Sequence, residues 1–387
     1  MKYKILFFLL MYLNCVTGQN IQRINIGQNT NTTQTLQLSS IAESIKYIPL
    51  ETTDECLLHS DILQIELDGE MIYLCDGYFV FKFNLEGKFL KKIGNRGQGP
   101  GEYGSLIVDF LLDTQEKTVT VFDRARRKFI VYDTEGRFIR EYNSDFEGVG
   151  PMAFLNKDNY IAYISTFIYE RSNNWYDLAL MDKKGKVVSK YAFSNENNRR
   201  YGLSIYPGVM YFYQGKLMFR NPYEEIIYQL DEKKKNPVYI FDLGRYKDAK
   251  DESDFQVRIG KNGKAESITS NPLSKEKLSI YRLCETNEFL FITYVKDDKT
   301  LMGVFDKQKK QFYNLGVKNE FGIIEDFEKG LLFWPRLGIK GNMMIGYRQA
   351  YEMKSLDSKV VASGLRAILN KMDEEDNQVL IFVTLKK

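Results

Sequence analysis

The sequence predicts an all-β fold: a six-bladed β-propeller of four-stranded antiparallel blades, closed by its N- and C-terminal strands and carrying one C-terminal amphipathic helix. Three observations lead there. A turn motif recurs at a fixed interval, Tyr and Phe number 26 each against only 8 Pro, and long helical periodicity is nearly absent.

The turn motif comes first. It reads Phe83-Asn84-Leu85-Glu86-Gly87, then Tyr132-Asp133-Thr134-Glu135-Gly136, then Met181-Asp182-Lys183-Lys184-Gly185, and its glycines stand 49 residues apart each time. The same step from Asp182 reaches Asp231, which keeps the acidic opener without the glycine, and a further copy begins at Asp306. An Asn or Asp side chain caps such a turn through its own backbone, and Gly supplies the positive φ that returns the strand. The repeated acids are therefore expected to be turn caps rather than catalytic carboxylates. Upstream of each turn lie apolar strands, as in Met71–Cys75 before Asp76 and Val119–Phe122 before Asp123. A unit of this size with four strands buries its flat faces only against like neighbours around a ring.

Blades are expected near 60–95, 104–145, 150–193, 201–244 and 280–317, with a sixth from 323–350 and Gln378 to Leu385. The strand-like segment Ser44 to Leu50 precedes the first full blade, so the two chain ends should share the last one, which removes an open sheet edge. Residues 19–43 read as an N-terminal extension and 44–387 as the propeller. The polar stretch 245–279 reads as an insertion. Residues 354–372, with Leu356, Val360, Val361, Leu365, Ile368, Leu369 and Met372 at helical spacing, read as one amphipathic helix packed on the ring.

The first 18 residues have a basic start followed by an apolar run from Ile5 to Leu13, the pattern of an export signal. Their removal takes away Lys2 and Lys4 and lowers the formal charge from +3 to +1. The protein is expected to be exported to the periplasm or cell surface. Lipidation at Cys15 is the lesser alternative, because Asn14 replaces the small residue that normally precedes a lipidated cysteine. No later stretch is long and apolar enough for a transmembrane span. Near-neutral charge gives no reason to expect nucleic acid, and a monomer is expected. Cys56, Cys75 and Cys284 remain in the mature chain, an odd number that cannot all pair internally.

The segment Lys92-Ile93-Gly94-Asn95-Arg96-Gly97-Gln98-Gly99-Pro100-Gly101-Glu102-Tyr103 resembles the blade-joining loop of NHL-type propellers. Together with Tyr47-Ile48-Pro49-Leu50-Glu51-Thr52, Val121-Phe122-Asp123 and Tyr132–Gly136 it is similar to the six-bladed β-propeller proteins abundant in Bacteroidetes. Phe333-Trp334-Pro335 and Glu375 to Ile381 extend the likeness near the end. The resemblance implies the fold and an exported or surface location, and no settled reaction.

Catalytic and metal chemistry find little support. The chain has one histidine, His59, which leaves no His-rich metal site and makes a Ser-His-Asp triad depend on a single residue. The Gly-rich loop leads into a strand rather than a helix, against a phosphate cradle. No catalytic residue, metal ligand or cofactor is assigned. The expected role is a binding or scaffold module of the cell envelope for a glycan, peptide or protein partner, the alternative being a carbohydrate-active or other hydrolytic enzyme with carboxylates in the channel. Aromatic planes beside guanidinium or amide groups suit such ligands. The candidate binding residues are Arg96, Gln98, Tyr103, Trp175, Tyr176, Trp334 and Arg336.

Overall fold

The computed structural model describes residues 21–387 apart from 105–106, 108, 147, 165–175, 193–208, 222–223, 247–254, 260–264, 271–277 and 298. The expected export signal 1–18, Cys15 and Trp175 lie outside the described residues. Six antiparallel blades form a ring, at 64–93, 110–143, 149–192, 209–242 and 278–317, with a sixth assembled from 338–348, 379–385 and 42–49. Within the last blade, Ala42–Pro49 lies outermost and pairs along Val379–Leu385, with Tyr47 opposite Ile381. The ends of the chain therefore close the ring as the sequence predicts.

The second and third strands of the blades are buried on both faces, which is why they read as nearly continuous apolar runs rather than as strict alternation. In the strand Thr118–Asp123, Val119 and Val121 point toward the first blade and Phe122 toward the third. Among the described residues, six apolar clusters fill the six junctions between neighbouring blades. The first strand of each blade lies nearest the axis, and these inner strands approach one another around it.

Antiparallel order sorts the loops. Among the described residues, the connections between blades, and the loops between the second and third strands of a blade, fall on one end of the ring, called here the upper face. The Asx turns fall on the lower face. There Asn84 accepts the backbone N–H groups of Glu86 and Lys88, Asp133 those of Glu135 and Arg137, and Asp182 those of Lys184 and Lys186. Asp231 and Asp306 cap their turns in the same way. These turns also reach across junctions: Glu135 of the second blade meets Lys82 and Lys91 of the first, and Lys183 of the third meets Asp113 of the second. One lysine of the basic turn 307–310 is not solvated as its composition suggests. Lys307 pairs at 2.7 Å with the buried carboxylate of Glu285, which also accepts from the hydroxyls of Tyr211 and Tyr239.

The N-terminal segment is a strap rather than a loose extension. Gln22–Asn25 adds in parallel to the outer strand of the fourth blade, and Thr33–Gln34 to the outer strand of the fifth. Gln37 then bridges to Ile324, a short helix Leu38–Ile41 follows, and the chain enters the sixth blade. Ile24 and Ile26 are fully buried in the junction of blades four and five. Asn314 fixes the middle of the strap by donating its side-chain N–H to the Thr30 carbonyl at 2.7 Å.

One reading changes in the structure. The segment 354–372 is not one helix but belongs to two short ones, Ala350–Lys354 and Ser363–Leu369. Asp357 breaks the run: its carboxylate accepts the Lys359 N–H and its carbonyl accepts the Val360 N–H, a turn that competes with helix. Val360 consequently faces solvent, while Val361, Leu365, Leu369 and Met372 pack on the junction of blades five and six. Cys56, Cys75 and Cys284 are all buried free thiols. Burial pushes the Cys75 thiol up to about 12, so it packs as a small apolar group. Within the insertion 245–279, Phe255–Ile259 and Ala265–Ser270 pair as an antiparallel hairpin.

Candidate functional site

The upper face carries a cleft of about 740 Å³ at the junction of blades five and six. Four segments meet there. The inner strand of blade five brings Tyr281 and Arg282, the link between the blades brings Trp334 and Arg336, the second strand of blade six brings Tyr347 and Arg348, and the following short helix brings Tyr351 and Glu352. Asp61, from the link that leads into the first blade, stands at the edge.

Three arginines face one cleft but are held differently. Arg348 donates to Glu352 at 3.2 Å and also to the Leu332 carbonyl. Burial, with the charge of Arg336 beside it, lowers the Arg348 pKa from its ordinary value. Arg282 donates one N–H to the backbone carbonyl of Arg336. The Arg336 guanidinium lies 5.6 Å from the centre of the Tyr347 ring. Among the described residues, neither Arg282 nor Arg336 has a carboxylate within ion-pair distance. Burial and the Asp61 charge push the Tyr347 hydroxyl up to about 12, against the opposing pull of Arg282 and Arg336.

Two of the carboxylates that line the cleft are engaged. Glu352 accepts from Arg348 and, in a capping box, from the Gln349 backbone N–H at 2.9 Å. Asp61 accepts from the Gln349 side chain at 2.7 Å. Tyr351, by contrast, is 61% exposed at the rim.

Of the candidate residues, Trp334 and Arg336 line this cleft. Trp334 is its floor more than its surface: only 4% exposed, it stands edge-on to Phe291 at 5.5 Å and donates its indole N–H to Thr293 at 2.8 Å. Tyr103 is fully buried in the junction of blades one and two, its hydroxyl directed at the Ile93 carbonyl, so it offers a ligand no surface. Tyr176 lies at the next junction, edge-on to Phe146 and covered by the Lys190 ammonium at 4.2 Å. Arg96 and Gln98 are exposed on the Gly-rich loop, Arg96 over Tyr78 and Gln98 accepting from Arg126.

That loop explains its own glycines. It wraps the Arg126 guanidinium, which donates to the carbonyls of Gly97 at 2.8 Å and Glu102 at 2.6 Å. The backbone therefore presents oxygens to a cation from the protein itself, the opposite polarity to a phosphate nest. At Gly101, with φ +69°, an added Cβ would sit 2.5 Å from the Phe138 ring.

Tyr281, Arg282, Tyr347, Arg348, Tyr351, Glu352 and Asp61 are cleft residues that the sequence alone does not single out. The usable signal was positional: chain entering the upper end of an inner strand, or leaving the upper end of a second strand, must face the ring mouth.

His59 sits at the upper end of the first blade. Its backbone N–H and imidazole both address Asp76, the backbone at 2.9 Å and Nδ1 at 3.3 Å. Ser60 directs its hydroxyl to the Asp76 carbonyl rather than to the imidazole, so the three do not form a catalytic relay.

A closed ring of six four-stranded blades, with a cleft lined by three arginines at one blade junction, defines this chain as a six-bladed β-propeller. It belongs to the family described as domain of unknown function DUF4934, which matches residues 21–384. A Bacteroides fragilis protein described as a candidate for export is similar in structure, with TM-score 0.68 and 20% identity over 95% of this chain and 100% of that one. A member of the DUF4221 family from Bacteroides vulgatus aligns with TM-score 0.49 and 11% identity over 89% of this chain and 97% of that one. Among curated proteins nothing matches. Among the described residues no helix is long and apolar enough to cross a membrane.

Proposed function

We propose that this chain is an exported binding or scaffold module of the cell envelope that engages its partner through the upper-face cleft between blades five and six. The observation that carries the reading is the cleft itself: Arg282 and Arg336 stand without carboxylate partners among the described residues, beside an exposed aromatic ring at Tyr351. Aromatic and arginine side chains grouped in a concave site are the usual anchors of recognition. Of the three carboxylates that line the cleft, Glu352 and Asp61 are engaged by neighbouring side chains, which leaves Glu320 without a free carboxylate to pair with and favours recognition over hydrolysis by an acid and base pair. Export is supported by the leader pattern of residues 1–18 and by the description of the Bacteroides fragilis relative.

The test is a combined glycan and peptide array probed with the wild type and with Tyr351→Ala. Tyr351 is exposed, so its loss should leave the fold intact. We expect the wild type to be retained on a restricted set of spots and the variant to lose most of that signal. Retention unchanged by the substitution, or no retained spot at all, overturns the assignment of this cleft.

A further inference from the structure

Resting on the binding-module reading, we propose that the cleft takes an acidic saccharide, with a carboxylate or sulfate held between Arg282 and Arg336. Two like charges set together in a partly buried cleft repel one another, and the repulsion grows as water is excluded. Among the described residues no carboxylate pairs with either: the Arg348 guanidinium takes Glu352, Asp61 is drawn to Gln349, and Glu320 lines the cleft outside ion-pair distance of both. An incoming oxyanion would offset the repulsion.

Both guanidinium groups are also restrained. Arg282 is tethered through one N–H to the Arg336 carbonyl, which leaves its other donors directed elsewhere. Arg336 rests over the Tyr347 ring, which limits the tilt of its plane. Planar guanidinium forks held in this way match the paired oxygens of a carboxylate or sulfate.

The surroundings favour a sugar over a peptide. Hydroxyls from Thr300 and Ser355 join the exposed Tyr351 ring around the opening, a mixture that suits a hydroxyl-rich ring with one flat apolar face. An extended peptide would gain most by pairing with a free strand edge, and the outer strand of blade five already pairs with Thr33–Gln34.

Calorimetric titration of the full chain with trigalacturonate, a sulfated tetrasaccharide, neutral galactotriose and hexaglutamate tests this. One of the two acidic saccharides should bind, showing which oxyanion is read, and galactotriose should bind at least tenfold more weakly, on the order of one lost charged contact. Arg336→Gln should weaken the acidic saccharide by about 10- to 100-fold with the melting temperature preserved, and Arg336→Lys should fall between, keeping the charge but losing the fork. Affinity should also decline as NaCl rises. Galactotriose binding as well as the acidic sugars, hexaglutamate binding best, or indifference to Arg336→Gln would each overturn the inference. Cleft-dependent retention of neutral sugars on the array, with neither acidic saccharide binding, would leave the binding module standing and remove its acidic ligand. Should Arg336→Gln fail to fold, the salt titration decides: affinity independent of NaCl rejects the anion.

Discussion

The two halves of the ring solve the same problem by different means. Each blade ends in an outer strand whose free N–H and C=O groups invite pairing with another chain. In blades four and five the N-terminal strap covers that edge with a parallel strand, and the segment then enters blade six as its own outermost strand. In blades one to three no strand from the described residues covers the edge. There the outer strands carry charge along the edge, at Lys91, Arg140 and Lys190. The cleft belongs to the strapped half. The proposed recognition site would gain precision from walls that cannot drift, and the strap laces blade four to blade five and blade five to blade six.

The largest test of this contrast is removal of the strap. A chain beginning at Leu38 loses two fully buried isoleucines, Ile24 and Ile26, each contributing about 1.5–3 kcal/mol, and uncovers two strand edges. The urea midpoint should fall strongly, and hydrogen exchange should accelerate in Lys235–Asp242 and Gln311–Val317 while Phe138–Asn143 keeps its protection. Equal acceleration in all the outer strands would show that the halves are not separate in stability.

The open half should break at the Gly-rich loop instead. Gly101→Val forces a β-branched side chain into positive φ and against the Phe138 ring, at a cost of about 2–4 kcal/mol. Gly99 has no such φ, and its nearest obstacle, the Glu102 carboxylate at 3.1 Å, can move. Gly99→Val should cost under about 1 kcal/mol. Thermal melts of the two variants side by side check the difference, and equal losses would mean that the loop is held by something other than backbone conformation.

The smallest expected effect is at Glu135, which ties blade two to blade one. Hydrogen bonds from Lys91 and Lys82 hold its carboxyl down at about 2. A carboxylate whose pKa is lowered by folding stabilises the protein above its ordinary range, and that contribution disappears as pH falls toward about 2. Because Glu135 is half exposed, Glu135→Gln should cost less than about 1 kcal/mol at neutral pH. The gap from wild type should close in strong acid. A gap that persists there would mean that the two lysines are not its cause.

Much of the fold was legible because its signal is local. Asn84, Asp133 and Asp182 make hydrogen bonds to residues two and four places on, so spacing alone exposes them. The cleft was legible only in part. Trp334 and Arg336 stood out by residue type, but Arg282 and Arg348 are ordinary strand arginines until blades five and six bring them together across 66 residues of sequence. Tyr103 shows the reverse error, since an aromatic beside a Gly-rich loop reads the same whether it faces solvent or the core.

What the amino-acid order determined by itself is the repeating hairpin, the Asx-capped turns and the need for a ring, because each follows from hydrogen bonds and apolar alternation within a few tens of residues. Tertiary structure alone decided the strap and the cleft. Parallel pairing of Gln22–Asn25 with a strand more than 200 residues away uses backbone groups that every residue shares, so no residue type announces it. The convergence of Arg282, Arg336 and Arg348 likewise exists only where separate blades meet.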